Sequence, residues 1–124
     1  MEKLIYISIA GALGTLARYL IGNLFVRDGI NTINFGIFIP NMLGSLIFGF
    51  VWSLSYDKGL ISEQLRVPIL VGFMGAFTTF STFAFDNFTL LRDSQWSMLS
   101  LNLLVTNIGG VIFVYIGFRI AKVF

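Results

Sequence analysis

Gly72-Phe73-Met74-Gly75-Ala76-Phe77-Thr78-Thr79-Phe80-Ser81-Thr82-Phe83 is the stretch on which the fold turns. It lies inside an otherwise apolar segment, 65–91, long enough to cross a bilayer core that takes a helix of about 20 residues. Gly72 and Gly75 precede four hydroxyl residues, Thr78, Thr79, Ser81 and Thr82. Gly and β-branched Thr are poor helix formers, so their concentration at mid-span predicts a break in this helix. Irregular backbone is tolerated at membrane depth only where protein or a cavity covers it. Carbonyls freed by a break can bind a cation, and amides freed at the next helix start can face an anion. Phe80 and Phe83 stand at i and i+3, which places both rings on one face. An aromatic ring is positive at its edge and negative on its face. Ring edges can therefore receive a bare anion without offering a charge that would trap it. Ser81 and Thr82 add hydroxyl donors beside them. Lipid contact or core packing is the alternative reading of a Phe pair in a membrane helix, but it leaves the interleaved glycines and hydroxyls unexplained.

Three further segments, 4–26, 35–56 and 97–118, match 65–91 in length and apolar character. The chain of 124 residues is 56% hydrophobic and 11% charged, with a mean hydropathy of +0.88. Soluble domains carry roughly 25% charged residues. The whole chain, 1–124, therefore reads as one all-α membrane domain of four transmembrane helices, with no linker, repeat or second domain. The gaps hold turn formers and most of the charge: Arg27, Asp28, Gly29 and Asn31, then Asp57, Lys58, Gly59, Glu63 and Arg66, then Arg92, Asp93 and Ser94. Lys3 ahead of an apolar run imitates a signal peptide, but no small-residue cleavage site follows and Arg18 interrupts the run, so it reads as a retained helix. Cysteine and histidine are absent, which removes disulfides, thiolate chemistry and the usual zinc ligands. The net charge of +2 is too small and scattered to suggest nucleic acid.

Four helices put both termini on one side of a cell membrane. That side carries five cations (Lys3, Lys58, Arg66, Arg119 and Lys122) against Arg27 and Arg92 on the other. The positive-inside rule favours cytoplasmic termini. Ala10-x-x-x-Gly14 and Ser45-x-x-x-Gly49 have the spacing of close helix approach, and Gly109-Gly110 adds a further approach point.

Polar groups within the spans need a reason, because they are costly there. Asn41 follows Pro40 and shares a small, polar face with Gly44 and Ser45. An interhelical hydrogen bond and a pore role fit it equally well, since its amide offers two donors. Arg18 lies deep in the first helix, where it can snorkel, pair with a partner such as Asp86, or draw anions into a vestibule. Asp86 shares a helical face with Thr79 and Thr82. Asn102, Thr106 and Asn107 line either a wet or an interhelical surface of the fourth helix, and Tyr115 reads as an interfacial anchor.

The run Gly75-Ala76-Phe77-Thr78-Thr79-Phe80-Ser81-Thr82-Phe83 resembles the Fluc, or CrcB, family of fluoride channels. Gly11-x-x-Gly14-x-x-x-Arg18-Tyr19 and Asn41-x-x-Gly44-Ser45-x-x-x-Gly49 extend the resemblance over the whole chain. The resemblance implies an antiparallel dimer with two fluoride pores. It implies that Phe80 and Phe83 set ring edges along the fluoride route, that Asn41 reaches toward it, and that Ser81 and Thr82 extend its polar lining. It places Arg18 near a vestibule. It also implies a sodium ion at the dimer interface, held by the backbone carbonyls of Gly75 and Thr78. Two positions depart from the family pattern: Gly110 stands where a pore-side serine is common, and Ile37 where a hydroxyl is frequent.

The resulting expectation is a passive channel exporting fluoride down its gradient and so relieving fluoride toxicity, not an enzyme. The uneven flanking charge favours a subunit inserted one way, partnered by an oppositely inserted, paralogous chain; a second copy of itself is the other possibility. A four-helix multidrug/proton antiporter is the rival, but it needs a deep membrane carboxylate and Asp86 lies beyond the break. A non-transporting assembly subunit explains the glycines but not the Thr/Ser/Phe run. No nucleophile is paired with a base, as an enzyme would require.

Overall fold

The computed structural model describes residues 1–25 and 32–124. Within them lie the helices α1 (Glu2–Leu24), α2 (Phe35–Trp52), α3 (Glu63–Val67), α4 (Gly75–Phe77), α5 (Phe80–Arg92) and α6 (Trp96–Val123). Two π-helical segments, Ser53–Asp57 and Pro68–Met74, continue α2 and join α3 to α4. Together they form four spans long and apolar enough to cross a membrane: Glu2–Leu24, Phe35–Asp57, Glu63–Arg92 and Trp96–Val123. The third is broken between α4 and α5, where the sequence predicts it. The turn expected at Arg27, Asp28, Gly29 and Asn31, and the end of the first helix at Val26, lie outside the described residues.

Helix ends differ modestly from expectation. The third span starts at Glu63 rather than 65, because Ser62 is extended and sets a helix start there. The fourth runs on to Val123, past the expected 118, since nothing in Arg119-Ile120-Ala121-Lys122 stops a helix. The π-helical stretch after α3 was not anticipated. Pro68 has no N–H to give the carbonyl four residues back, and the chain continues past it in the wider i→i+5 pattern.

The interior is thin and the outside apolar. Val51, Leu70 and Met74 form a small buried cluster. Leu13, Leu16 and Leu20 on α1 and Val111 on α6 are more than half exposed, as expected when the surrounding solvent is lipid. Without a hydrophobic drive between helices, close packing of small residues has to hold them together. The glycines do this through backbone contact. A Cβ on Gly14 would collide with the Phe73 carbonyl, and one on Gly72 would come 2.7 Å from the Ile7 carbonyl. Between α2 and α6, a Cβ on Gly49 would collide with the Val114 carbonyl, and one on Gly117 with that of Leu46. Gly49 was legible as a packing residue; Gly117 was not. The Gly109-Gly110 approach is looser, since a Gly109 Cβ would meet the flexible Met42 thioether at 3.1 Å. Gly117→Ala should therefore force the backbones of α2 and α6 apart at a cost of about 1–3 kcal/mol, lowering the melting temperature in detergent. Gly109→Ala should leave it close to that of the unaltered chain.

Two ion pairs gather the chain ends on one side. Lys3 Nζ lies 3.1 Å from Glu63 Oε1, and Lys122 Nζ lies 2.8 Å from Asp57 Oδ2. Both are open to solvent, where such pairs contribute little. They mark topology more than they stabilise it: both termini and the second-to-third connection share one end.

Candidate functional site

The break consists of two extended residues. Thr78 has φ −82° and ψ 156°, and Thr79 has φ −146° and ψ 114°. Thr78 closes the upstream half: its N–H and its hydroxyl both donate to the Met74 carbonyl, at 3.0 and 2.9 Å. Thr79 opens the downstream half as the N-cap of α5, its Oγ1 accepting from the Thr82 N–H at 3.3 Å. The Thr79 hydroxyl in turn donates to Thr82 Oγ1 at 3.0 Å.

The second span straps the break. Thr79 N–H, which an unbroken helix would give to the Gly75 carbonyl, donates to Asn41 Oδ1 at 2.8 Å. Asn41 Nδ2 returns a bond to the Thr79 carbonyl at 3.2 Å. One amide side chain thus satisfies the Thr79 N–H, which hydrocarbon would otherwise leave unpaired, and adds a second bond to the Thr79 carbonyl. Gly44, one turn on from Asn41, leaves the space that the Thr78 methyl fills; a Cβ there would collide with Thr78 Cγ2. The Asn-x-x-Gly pattern is the footprint of the break on its neighbouring helix. Of the two roles left open for Asn41, the interhelical bond is present.

The first span supports the break from the other side. Gly11 and Gly14 bring α1 against Gly72 and Phe73. One turn further, Arg18 Nε donates to the Ala76 carbonyl at 3.0 Å. A cation at the C-terminus of a half-helix favours the dipole there and fills a carbonyl that lost its helical partner.

Beside the break lies a cleft of about 480 Å³. Gly75, Thr78 and Thr79 form one wall, and Phe80 and Phe83 of α5 the next. Asn41, Ser45 and Phe48 come from α2; Thr106, Asn107 and Gly110 come from α6. Among the described residues, no carboxylate and no cation lines it. The Phe80 and Phe83 ring centroids are 6.1 Å apart, with planes at 53°. Phe83 is buried at 7% exposure, whereas Phe80 is 78% exposed on the single chain. Ser81 and Thr82 are exposed and lie off the cleft wall, as do Arg18 and Ile37. The structure therefore gathers Asn41, Gly75, Thr78, Phe80 and Phe83 around one space, and leaves Ser81, Thr82 and Arg18 beside it. A Cβ on Gly110 would stand 3.7 Å from Ser45 Oγ, so a hydroxyl from α2 sits close to the side chain that Gly110 lacks.

A chain of polar side chains backs the α6 wall. The Thr106 hydroxyl donates to Asn102 Oδ1 at 3.4 Å, and Asn102 Nδ2 donates to Asn87 Oδ1 at 2.9 Å. Asn102 thereby serves the interhelical role, pinning α5 to α6.

The chain matches, over residues 5–118, the family described as "CrcB-like protein, Camphor Resistance (CrcB)". It belongs to the CrcB family. The proteins it resembles include a "Fluoride-specific ion channel FluC" of Nitrosococcus oceani, 41% identical over 122 residues that cover 98% of each chain. Proteins of the same name from Nitratidesulfovibrio vulgaris and Maridesulfovibrio salexigens are 46% and 42% identical, over 82% and 83% of this chain and 82% of their own. With these and its four apolar spans, the CrcB-family chain is a multi-pass membrane protein.

Two features of this CrcB-family site escaped the sequence reading. Phe48 on the cleft wall had a signal, its i, i+4, i+8 spacing with Trp52 and Tyr56. Asn87, buried against Asn102, stood next to Asp86 without a periodicity of its own to single it out.

Proposed function

We propose that this chain is a subunit of a passive, fluoride-selective ion channel, and that the cleft at the break is part of the fluoride route. The observation that carries this reading is the uncharged wall of that cleft, in which two phenyl rings stand beside a broken helix strapped by Asn41. A halide leaving water needs electropositive partners, and ring edges, hydroxyls and amide N–H groups supply them without a full charge. Asn41 spends one amide N–H on Thr79 and has a second. Ser45 supplies a hydroxyl close to Gly110. The names of the relatives support fluoride as the ion. They are named as channels, which argues against an enzyme.

The assembly is a dimer of antiparallel subunits, through which the outward-facing Phe80, Ser81 and Thr82 gain partners. The excess of cations at the termini end favours a related, oppositely inserted second subunit over another copy. Full fluoride conduction by this chain expressed alone would count against that choice. The Gly75 and Thr78 carbonyls are assigned to a sodium ion at the subunit interface. The fit is chemical: Thr79 N–H is diverted from Gly75 to Asn41, and a Cβ on Gly75 would meet nothing within 4 Å. No group of three or more acidic, His or Cys side chains able to hold a metal occurs among the described residues, so backbone oxygen is the available donor. Sodium there would supply a fixed positive charge between the half-helices.

The rival antiporter reading needs a titrating carboxylate in the route, and the cleft wall has none. Reconstitution of the assembly, purified with its second subunit, separates the two. Fluoride release without uptake of a quaternary ammonium dye is expected. Dye uptake driven by a proton gradient, with fluoride retained, would replace this reading with the rival.

A further inference from the structure

A row of stacked rings leaves the cleft along the second span. Phe48 lines the cleft, and its ring centroid lies 6.3 Å from that of Trp52 with planes at 14°. Trp52 lies 4.1 Å from Tyr56, tilted by 30°. The guanidinium carbon of Arg66 stands 4.0 Å over the Tyr56 ring, and Arg66 Nη1 donates to Ser55 Oγ at 3.2 Å. The three rings follow one another at four-residue spacing, so they share a helical stripe. Each is partly exposed: 37%, 43% and 52% in order.

Stacking decides what this row presents. Phe48 and Trp52 lie near-parallel, Trp52 stacks closely on Tyr56, and the Arg66 guanidinium takes a face of Tyr56. The donors the row can offer are the C–H edges of its rings, the Trp52 indole N–H and the Tyr56 O–H. All of these are electropositive. The row begins with a cation at the end of the molecule that carries both termini, and finishes in the cleft wall. An interfacial aromatic belt accounts for Trp and Tyr at a membrane boundary. It does not account for the near-parallel stack, for the guanidinium closing it, or for its continuation to Phe48.

The geometry points to an anion ramp. Arg66 draws fluoride from water to the membrane boundary, and the rims of Tyr56, Trp52 and Phe48 hand it on to the cleft. This rests on the fluoride-channel reading above. It names the approach to that site, on residues outside the Thr/Ser/Phe run.

The test is fluoride efflux from liposomes holding the purified assembly, at low and high ionic strength. Arg66→Gln should lower flux on the order of tenfold at low salt and much less at high salt, as charge steering does. Arg66→Lys should keep most of it. Trp52→Leu should lower flux several-fold at both salt concentrations, and Trp52→Phe should restore it. Trp96→Leu, which removes an exposed aromatic outside the row, should leave flux unchanged. Full flux in Trp52→Leu and Arg66→Gln overturns the ramp alone, and so does a Trp96→Leu loss matching that of Trp52→Leu. If the unaltered assembly releases no fluoride, the channel reading falls and the ramp with it. Where Trp52→Leu fails to assemble, Arg66→Gln at the two salt concentrations decides.

Discussion

Phe80→Ile and Phe83→Ile each reduce fluoride flux by at least tenfold while the subunits still assemble. The substitution keeps an apolar side chain and removes the electropositive rim. A tenfold loss needs only about 1.4 kcal/mol at the barrier. Ring-quadrupole contacts are worth about that much once desolvated. The two positions separate function from packing in different ways. Phe83 is buried at 7% exposure, so its truncation also leaves a space, and a modest fall in melting temperature accompanies the loss of flux. Phe80 is 78% exposed on the single chain, so its truncation leaves no space within the subunit, and its loss of flux should come with a smaller fall in melting temperature than that of Phe83→Ile. Liposome efflux and a detergent melt on the same preparations check both. Unaltered efflux in the two variants would remove the rims from the mechanism.

Asn41→Leu is expected to have the largest effect on the fold. It deletes the acceptor of the Thr79 N–H and the donor to the Thr79 carbonyl together. The Thr79 N–H left unpaired costs about 1–3 kcal/mol, a sizeable share of a stability of about 5–15 kcal/mol. The variant should lose both melting temperature and flux. Asn41→Asp keeps an acceptor for Thr79 N–H, so it should melt between Asn41→Leu and the unaltered chain. It should still fail to conduct, because a carboxylate on the cleft wall repels an anion. An Asn41→Leu assembly as stable as the unaltered one would mean that Thr79 has other partners and that the strap is dispensable.

The break was legible because its cause is local: two glycines and four hydroxyl residues at mid-span cannot sustain a helix that lipid would otherwise enforce. The expected break lay within 72–83 and falls at Thr78-Thr79; that Asn41, Gly75 and Thr78 belong with Phe80 and Phe83 came from the family resemblance rather than from the residues' own spacing. The partner of Asn41 was not legible, since Thr79 lies 38 residues away and the bond depends on the register between two helices. Arg18 illustrates the same limit: its depth marked it as needing a partner, and only the packing of Gly14 on Phe73 brings it to the Ala76 carbonyl. Gly117 looked like any small residue until the Leu46 carbonyl was found against it. Ser81 and Thr82 were grouped with the Phe rings by adjacency in sequence. A helix turns adjacent residues by about 100°, and on the single chain neither residue lines the cleft.

An experimental density map of the assembled protein, determined with and without fluoride, tests the central claim most directly. The account predicts extended backbone at Thr78-Thr79 with Asn41 bound to Thr79, the rims of Phe80 and Phe83 turned to the conducting space, and an isolated peak beside them that fluoride withdrawal removes. A third span running as one unbroken rod, with both rings directed into the acyl chains, would contradict it.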